Sequence, residues 1–164
     1  NGQLYVALGT GRVRDNIAPL PGFDNIEILE TADNMRRPPG ERLYTMDEFE
    51  FGVADLDMVL TFRNVHNFNE EGRMMMHQQA FAALRSGGIY GIVDHTRRHM
   101  EPDNNENRRR IDPVLVIKEV QAAGFEFVDY STLHYRADDE LEYEVGRRSV
   151  SGNTDRFTFK FKKP

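Results

Sequence analysis

Two short apolar runs, separated by a helix-like segment, each lead directly into a group of polar residues. The runs are residues 58–62 and 89–93, and each predicts a short strand, the first of them buried. Between them, residues 71–85 place apolar side chains at three- and four-residue steps, which predicts a helix that stops at Gly87. The polar residues that follow the runs are Arg63, Asn64, His66 and Asn67 for the first, and Asp94 and His95 for the second. Because parallel strands end at the same sheet edge, we expect these residues to share one crevice.

Further elements are predicted on both sides of this unit. We expect a turn of helix at residues 46–52, and a longer helix that starts at Asp112 and Pro113, which suit a cap and a first turn. The apolar stripe of this longer helix is Val114, Ile117 and Val120. The remaining predicted strands are residues 4–8, 26–29, 125–133 and 156–161, and the predicted loops are 9–25, 36–40, 96–110 and 136–155.

The alternation of strands and helices predicts an α/β fold in a single domain over residues 1–164. The sheet is expected to be mainly parallel and closed by an antiparallel pair of C-terminal strands. The last strand places Phe157, Phe159 and Phe161 on one face, as expected for an edge or antiparallel strand with one side in water.

Composition narrows the classes of function. The chain has 164 residues, 39% of them hydrophobic, which is enough to bury a core. A formal net charge of -6 argues against nucleic acid as the main partner and favours a small molecule. The absence of cysteine excludes disulfides and thiolate chemistry, and no apolar run approaches the ~20 residues of a membrane helix. We expect a cytoplasmic protein that does not bind membranes, with an exported form left open. The chain begins with Asn rather than Met.

The polar residues at the two strand ends are candidates for acid–base chemistry. Asp94 can orient and polarise His95 for the removal of a proton from a substrate hydroxyl, and His66 can play the same part from the neighbouring strand. Arg63 is suited to hold an anionic group, while Asn64 and Asn67 either bind substrate or stiffen the turn. The alternative for Asp94 is a capping residue beside an exposed histidine.

A metal site is not expected at the other histidines. His95 and His99 stand four residues apart, but Pro102 and the polar setting predict a loop rather than a helix that would align them. His77 is predicted to be a packing residue on the core side of its helix.

Two sequence motifs carry a resemblance to a known family. The segments DMVLTFRNVHNF and GGIYGIVDH resemble the fourth and fifth strands of a bacterial group of predicted class I S-adenosylmethionine-dependent methyltransferases, which read DLVLTFRNVHN and GGxxGxVDH. RIDPVLVIKEVQAAGFEFVDYS resembles the following helix and strand of that group, and TDRFTFKFKKP its closing strand. The likeness covers residues 2–164 and corresponds to the C-terminal two-thirds of the family.

The resemblance implies a Rossmann-like methyltransferase sheet that is truncated. Residues 4–8 align with the second strand of the family, so that the central first strand and its glycine-rich turn are lacking. Leu8 and Gly9 stand where the family has an acid for the ribose hydroxyls, while Asp33 and Phe62 match its cofactor-contacting positions, with an ordinary turn aspartate as the alternative for Asp33. A missing central strand exposes two strand edges. Either an N-terminal piece is lacking, or the local strands rearrange, or another copy of the chain covers the edges, and we favour rearrangement with self-association into a homo-oligomer.

The function that the resemblance implies is methyl transfer from S-adenosylmethionine to a small-molecule acceptor. His95 or His66 would act as base, Asp94 would orient it, and Arg63 with Asn64 and Asn67 would position the substrate. Two alternatives remain: a non-catalytic or repurposed oligomeric binding domain that has lost the cofactor, and a small-ester hydrolase that uses the same crevice.

Overall fold

The computed structural model describes residues 2–31 and 34–164 and shows an α/β architecture. The strands in these residues are β1 (Leu4–Val6), β2 (Ile26–Ile28), β3 (Met35–Arg36), β4 (Thr45–Met46), β5 (Leu56–Phe62), β6 (Leu84–His95), β7 (Glu126–Ser131) and β8 (Arg156–Lys162). The helices are α1 (Gly11–Asn16), α2 (Glu70–Ala83) and α3 (Pro113–Ala122), and a short 3-10 helix covers Val65–Asn67. None of these helices is both long and apolar enough to cross a membrane.

The main sheet has four strands in the order β5-β6-β8-β7. β5 and β6 are parallel, whereas β8 runs antiparallel to both β6 and β7. The predicted antiparallel C-terminal pair is therefore confirmed, with β7 rather than β8 at the edge. β1 and β2 form a separate parallel pair, and β3 and β4 an antiparallel one.

Side-chain caps start both long helices. Asn69 accepts a hydrogen bond from the amide of Gly72 at 2.9 Å, and Asp112 accepts one from the amide of Val114 at 2.8 Å. Both caps satisfy amides that would otherwise lack a partner in the first turn. The predicted start of α3 at Asp112 and Pro113 is thus confirmed, and Gly124, with a φ of 105°, ends the segment.

Both helices cover one face of the main sheet, and the core lies between the helices and the sheet. Tyr90 and Phe161 are adjacent on β6 and β8, and both side chains are fully buried. The core residues that helices α2 and α3 contribute include Met76, Ala80, Val116 and Val120. His77 is also fully buried, and its Nδ1 lies 3.1 Å from the hydroxyl of Tyr90, so its predicted role in packing is confirmed.

Several local predictions differ from the structure, among them the loop predicted at residues 9–25, where Gly11–Asn16 form the short helix α1. Residues 46–52 form no helix, because the backbone of Tyr44 is bonded to residues 67 and 69 and leads into extended strand β4. Helix α2 ends at Ala83, before the predicted stop at Gly87, since Leu84 already begins β6 and pairs with β5. In α3 the predicted apolar stripe is right for Val120, which is buried, and for Ile117, which packs against the core, but Val114 is 48% exposed and Val116 is buried in its place.

The prediction of a buried strand at residues 58–62 is also wrong. Met58, Leu60 and Phe62, on one face of β5, are each more than half exposed, because α2 and α3 cover only the opposite face. In the described part of the chain, β5 pairs only with β6 and β1 only with β2. An apolar cavity of about 670 Å³ lies between β1 and β5, along their free edges.

Candidate active site

The buried carboxylate of Asp94, near the end of β6, organises the site. Its Oδ1 lies 2.5 Å from Nδ1 of His66 and accepts a bond from the amide of His95 at 2.7 Å. Its Oδ2 accepts a bond from the amide of His66 at 3.1 Å. Asp94 is fully buried and the His66 side chain is 5% exposed, so the pair is shielded from solvent. The structure therefore brings together Asp94, His66 and His95, as the sequence predicts.

A sharp turn after β5 brings His66 onto the carboxylate. Arg63 has a φ of 52°, a left-handed conformation that is uncommon for residues other than glycine, and its amide bonds the carbonyl of Val93 at 2.7 Å. The short 3-10 helix then begins at Val65, which is fully buried and anchors the turn in the core. The backbone conformation at Arg63 thus positions His66 beside the end of β6.

His95 lies behind His66 rather than beside a cavity. Its Nδ1 lies 2.9 Å from the hydroxyl of Thr154, and its ring centroid is 5.7 Å from that of His66. Burial lowers the pKa of His95 to about 4, although the Asp94 carboxylate favours the charged form. The imidazole is therefore neutral at neutral pH, and neither of the two cavities described here is lined by it.

His66 and Asn67 open onto a cavity of about 450 Å³. Two loops form its other walls, one between β3 and β4 and one between β6 and α3. Their lining residues are Arg37, Glu41, Arg42, Leu43, Asp103, Arg108 and Arg109. We name this space the arginine cavity. Its lining carries more positive than negative side chains.

Specific contacts hold the second of these loops in place. The guanidinium of Arg110 is fully buried and bonds Asp139 twice, at 2.8 and 3.0 Å, and the carbonyls of Thr96 and Tyr143. Asn107, also fully buried, bonds the carbonyl of Pro102 at 3.0 Å. The loop is therefore ordered by its own buried polar groups.

The second cavity, of about 670 Å³, adjoins the carboxyl ends of β1 and β5. Leu8, Leu29, Phe62 and Asn64 are among its lining residues, and most of the lining is apolar. Phe62 lines this cavity, and its contact with a cofactor stays a prediction. The other predicted contact, Asp33, falls outside the described residues.

The two asparagines connect the cavities. The amide nitrogen of Asn67 donates to Oδ1 of Asn64 at 3.3 Å, with Asn67 on the arginine cavity and Asn64 on the apolar one. Arg63 is exposed and lines neither cavity, so its part in holding substrate stays a prediction.

Sequence reasoning missed the arginines that line the same cavity as His66. Residues 36–40 and 96–110 are predicted only as loops. The signal that could have found them is the presence of two basic clusters in loops of an acidic chain. What the sequence does not show is that both loops turn towards the same histidine.

Comparison with known proteins gives the fold and little else. No family model matches the chain, and no curated protein matches its sequence. Among solved structures, the glycopeptide N-methyltransferase MtfA complexed with sinefungin is similar with a TM-score of 0.62 and 12% identity, covering 99% of this chain and 77% of that one. The [4+2]-cyclase SpnF has a TM-score of 0.60 and 15% identity over 99% of this chain and 67% of that one.

A third similar structure is the pyocyanin biosynthetic protein PhzM, with a TM-score of 0.59, 12% identity, and coverage of 100% of this chain and 43% of that one. The chain has the class I methyltransferase fold. It spans 52 to 77% of the length of the first three structures that it matches.

The class I methyltransferase fold is compatible with more than one chemistry, since a [4+2]-cyclase shares it. MtfA has been solved with S-adenosyl-L-methionine and with S-adenosyl-L-homocysteine, and LepI with S-adenosyl-L-methionine. These ligands belong to those proteins. For this chain, function has to be argued from its own residues.

Proposed function

We propose that the protein transfers a methyl group from S-adenosylmethionine to a small-molecule acceptor, with His66 as the base. The observation that carries the proposal is the buried pair of His66 and Asp94 on the wall of the arginine cavity. A histidine held by a carboxylate at the edge of a cavity is suited to remove a proton from a hydroxyl or amine.

Asp94 sets the tautomer of the base. Its Oδ1 accepts a hydrogen bond from the proton on Nδ1 of His66. The other ring nitrogen, Nε2, therefore keeps its lone pair. The bond from the amide of His66 to the second carboxylate oxygen fixes the backbone as well, so the ring has little freedom to rotate away. As the acceptor loses its proton, the developing imidazolium is stabilised by the adjacent carboxylate.

His95 acts as a positioning residue in this proposal. Its amide bonds the Asp94 oxygen that holds His66, and its neutral ring packs against the ring of His66. The base is assigned to His66 rather than His95 because His66 lines the arginine cavity and His95 lines neither cavity.

The apolar cavity fits the cofactor in part. S-adenosylmethionine supplies an electrophilic methyl group when it is bound. A volume of about 670 Å³ lies within the range of small-molecule sites, and Phe62, Asn64 and Leu29 offer an apolar surface with one amide. Leu8 provides no carboxylate for a ribose, and Asp33 is the remaining acid that the resemblance implies. We propose that Phe62 and Asn64 hold the cofactor, which moves Asn64 from the predicted substrate site because it lines the apolar cavity.

Titration calorimetry with S-adenosylmethionine is expected to show micromolar binding. Phe62→Ala should weaken this binding by up to roughly tenfold, because an aromatic contact contributes about 0.5–1.5 kcal/mol. Leu133→Ala is the matched control, since Leu133 is 72% exposed and lines neither cavity. Absence of heat together with an unchanged melting temperature would favour the alternative of a binding domain without cofactor.

The hydrolase alternative rests on the same pair of residues. His66 and Asp94 could activate water against a small ester instead of deprotonating an acceptor. Among the described contacts, neither His66 nor His95 bonds a serine hydroxyl, so such a reaction would use water as the nucleophile. Hydrolysis that needs no S-adenosylmethionine would distinguish this alternative from methyl transfer.

For the alternative in which the cofactor is not bound, we propose that the free edge of β5 is covered by self-association, since Met58, Leu60 and Phe62 line the apolar cavity and cannot serve a cofactor and a second copy at once. Met58, Leu60 and Phe62 form an exposed apolar row on a strand whose outer edge has no partner among the described residues. Exposed strand edges of this kind pair readily with another chain.

Light scattering is expected to show a concentration-dependent increase in mass, and Leu60→Lys should suppress it by placing a charge on the apolar row. Leu133→Lys introduces the same charge at an exposed apolar site outside both cavities and should leave the association unchanged. A monomer at all concentrations would contradict the proposal.

A further inference from the structure

The arginine cavity is positively charged, although the protein as a whole is acidic. Its lining contains four guanidinium groups, Arg37, Arg42, Arg108 and Arg109, and two carboxylates, Glu41 and Asp103. The chain has a formal net charge of -6, so this concentration of positive charge beside His66 runs against the general composition. Charge of one sign lining a concave site attracts ligands of the opposite sign.

Two of these arginines are paired less closely with carboxylates than the other two. Arg42 pairs with Asp103, and Arg109 bonds Glu144 through two nitrogens at 2.5 and 3.1 Å. Arg108, by contrast, approaches the same Glu144 only to 3.8 Å. Arg37 lies over the ring of Tyr44 at 4.3 Å from its centroid, with no carboxylate of the described residues within 4.0 Å.

The guanidinium groups are presented on supported loops. The backbone of Tyr44 bonds the carbonyl of Asn67 at 2.8 Å and the amide of Asn69 at 2.9 Å, which ties the loop bearing Arg37 to the segment bearing His66. The opposite loop, which bears Arg108, is held by the buried residues Asn107 and Arg110. Arginines from two loops thus converge on one space.

We propose that the arginine cavity binds the methyl acceptor through an oxyanion, so that the acceptor is a small molecule with a carboxylate or phosphate group as well as the hydroxyl or amine that is methylated. The identity of this ligand as the methyl acceptor rests on the proposed function. The binding of an anion by the arginine cavity does not depend on it. Arg37 and Arg108 hold the oxyanion, because planar guanidinium groups match carboxylate and phosphate oxygens. Holding this end of the acceptor directs its nucleophile to His66.

The binding of simple anions tests the inference without cofactor or turnover. The imidazole signals of the protein are followed by NMR at pH 7.5 during titration with inorganic phosphate or acetate, with chloride added to keep the ionic strength constant. The signal that is absent from His66→Gln is assigned to His66. Saturable shifts of this signal are expected, and the double variant Arg37→Gln/Arg108→Gln should raise the apparent dissociation constant at least tenfold.

Arg14→Gln is the matched control, because Arg14 is an exposed arginine paired with Glu30 and lies outside the cavity lining. It should leave the titration unchanged, and melting curves confirm that every variant is folded. Saturation by phosphate alone assigns a phosphate-bearing acceptor and saturation by acetate alone a carboxylate-bearing one, whereas saturation by both anions supports an oxyanion of either kind.

Two results would overturn the inference: no saturable shift with either anion, or equal shifts in the wild type and the double variant. Because calorimetry with S-adenosylmethionine measures a different cavity, failure of cofactor binding leaves this result intact. Anion binding without cofactor binding would support the acidic ligand and contradict the transferase.

Discussion

Asp139→Ala is expected to destabilise the protein by about 3–5 kcal/mol, the cost of leaving a buried charge without its partner. The guanidinium of Arg110 and the carboxylate of Asp139 are 0% and 1% exposed and share two hydrogen bonds. Asp139 also accepts a bond from the amide of Asp155 at 2.6 Å, and so ties the 136–155 segment to the start of β8. Urea denaturation followed by circular dichroism measures the loss.

Two controls separate the buried charge from other causes. Glu140→Ala removes the neighbouring acid, which is exposed, and should change the free energy of unfolding by less than about 0.5 kcal/mol. Arg110→Met combined with Asp139→Leu removes both charges and should recover part of the loss, because no unpaired charge remains although the amide of Asp155 and the carbonyl of Thr96 lose their partners. A loss below about 1 kcal/mol in Asp139→Ala would show that water reaches Arg110.

The same pair predicts sensitivity to acid. Burial by itself would raise the pKa of Asp139, but hydrogen bonds from Arg110 and from the amides of Asp155 and Leu141 outweigh burial and lower it. A carboxylate whose pKa is lower in the folded protein stabilises the fold above its unfolded pKa of about 3.9, and this stabilisation is lost as the pH falls through the folded value. Asp139→Ala should therefore show a smaller loss of stability below about pH 4 than the wild type.

His66→Gln is expected to lower the rate of methyl transfer by about 10²–10⁴-fold, which is the usual contribution of a general base. Glutamine keeps a polar side chain on the cavity wall but cannot accept the proton of the acceptor. The measurement is release of S-adenosylhomocysteine with a panel of small hydroxy and amino acids, using the acceptor that the wild type methylates.

His95→Gln is the comparison that separates the two histidines. His95 bonds Thr154, is neutral with a pKa of about 4 and lines neither cavity, so its loss should cost no more than roughly tenfold. Asp94→Asn keeps the shape of the side chain but removes the charge that stabilises imidazolium, and should approach the effect of His66→Gln. A larger loss in His95→Gln than in His66→Gln would reassign the base to His95.

The main α/β unit could be predicted because its signals are local. The apolar runs at 58–62 and 89–93 lie within β5 and β6, and the cap at Asp112 starts α3 as expected. Asp94 and His66 could be predicted as neighbours because parallel adjacent strands must end at the same edge, and their bond of 2.5 Å agrees. Periodicity and end signals need no knowledge of distant parts of the chain.

Other features depend on distant contacts and could not be predicted. Strand β4 replaces the expected helical turn because Tyr44 pairs with the segment after β5, which is more than twenty residues away. The exposure of Met58 and Leu60 depends on which face the helices cover, and a run of apolar residues does not encode this. The choice between His66 and His95 depends on which ring reaches a cavity.

The sequence by itself determined the α/β class, the paired β5 and β6, and the polar residues at their ends, because these follow from hydrophobic spacing and caps within short windows. Only the tertiary structure decided that Arg37 and Arg108 line one cavity with His66, that Arg110 is buried against Asp139, and that one face of β5 is open. The physical reason is that charge and burial are properties of the folded surroundings. An arginine in a loop has the same local sequence whether it faces solvent, a carboxylate or a ligand.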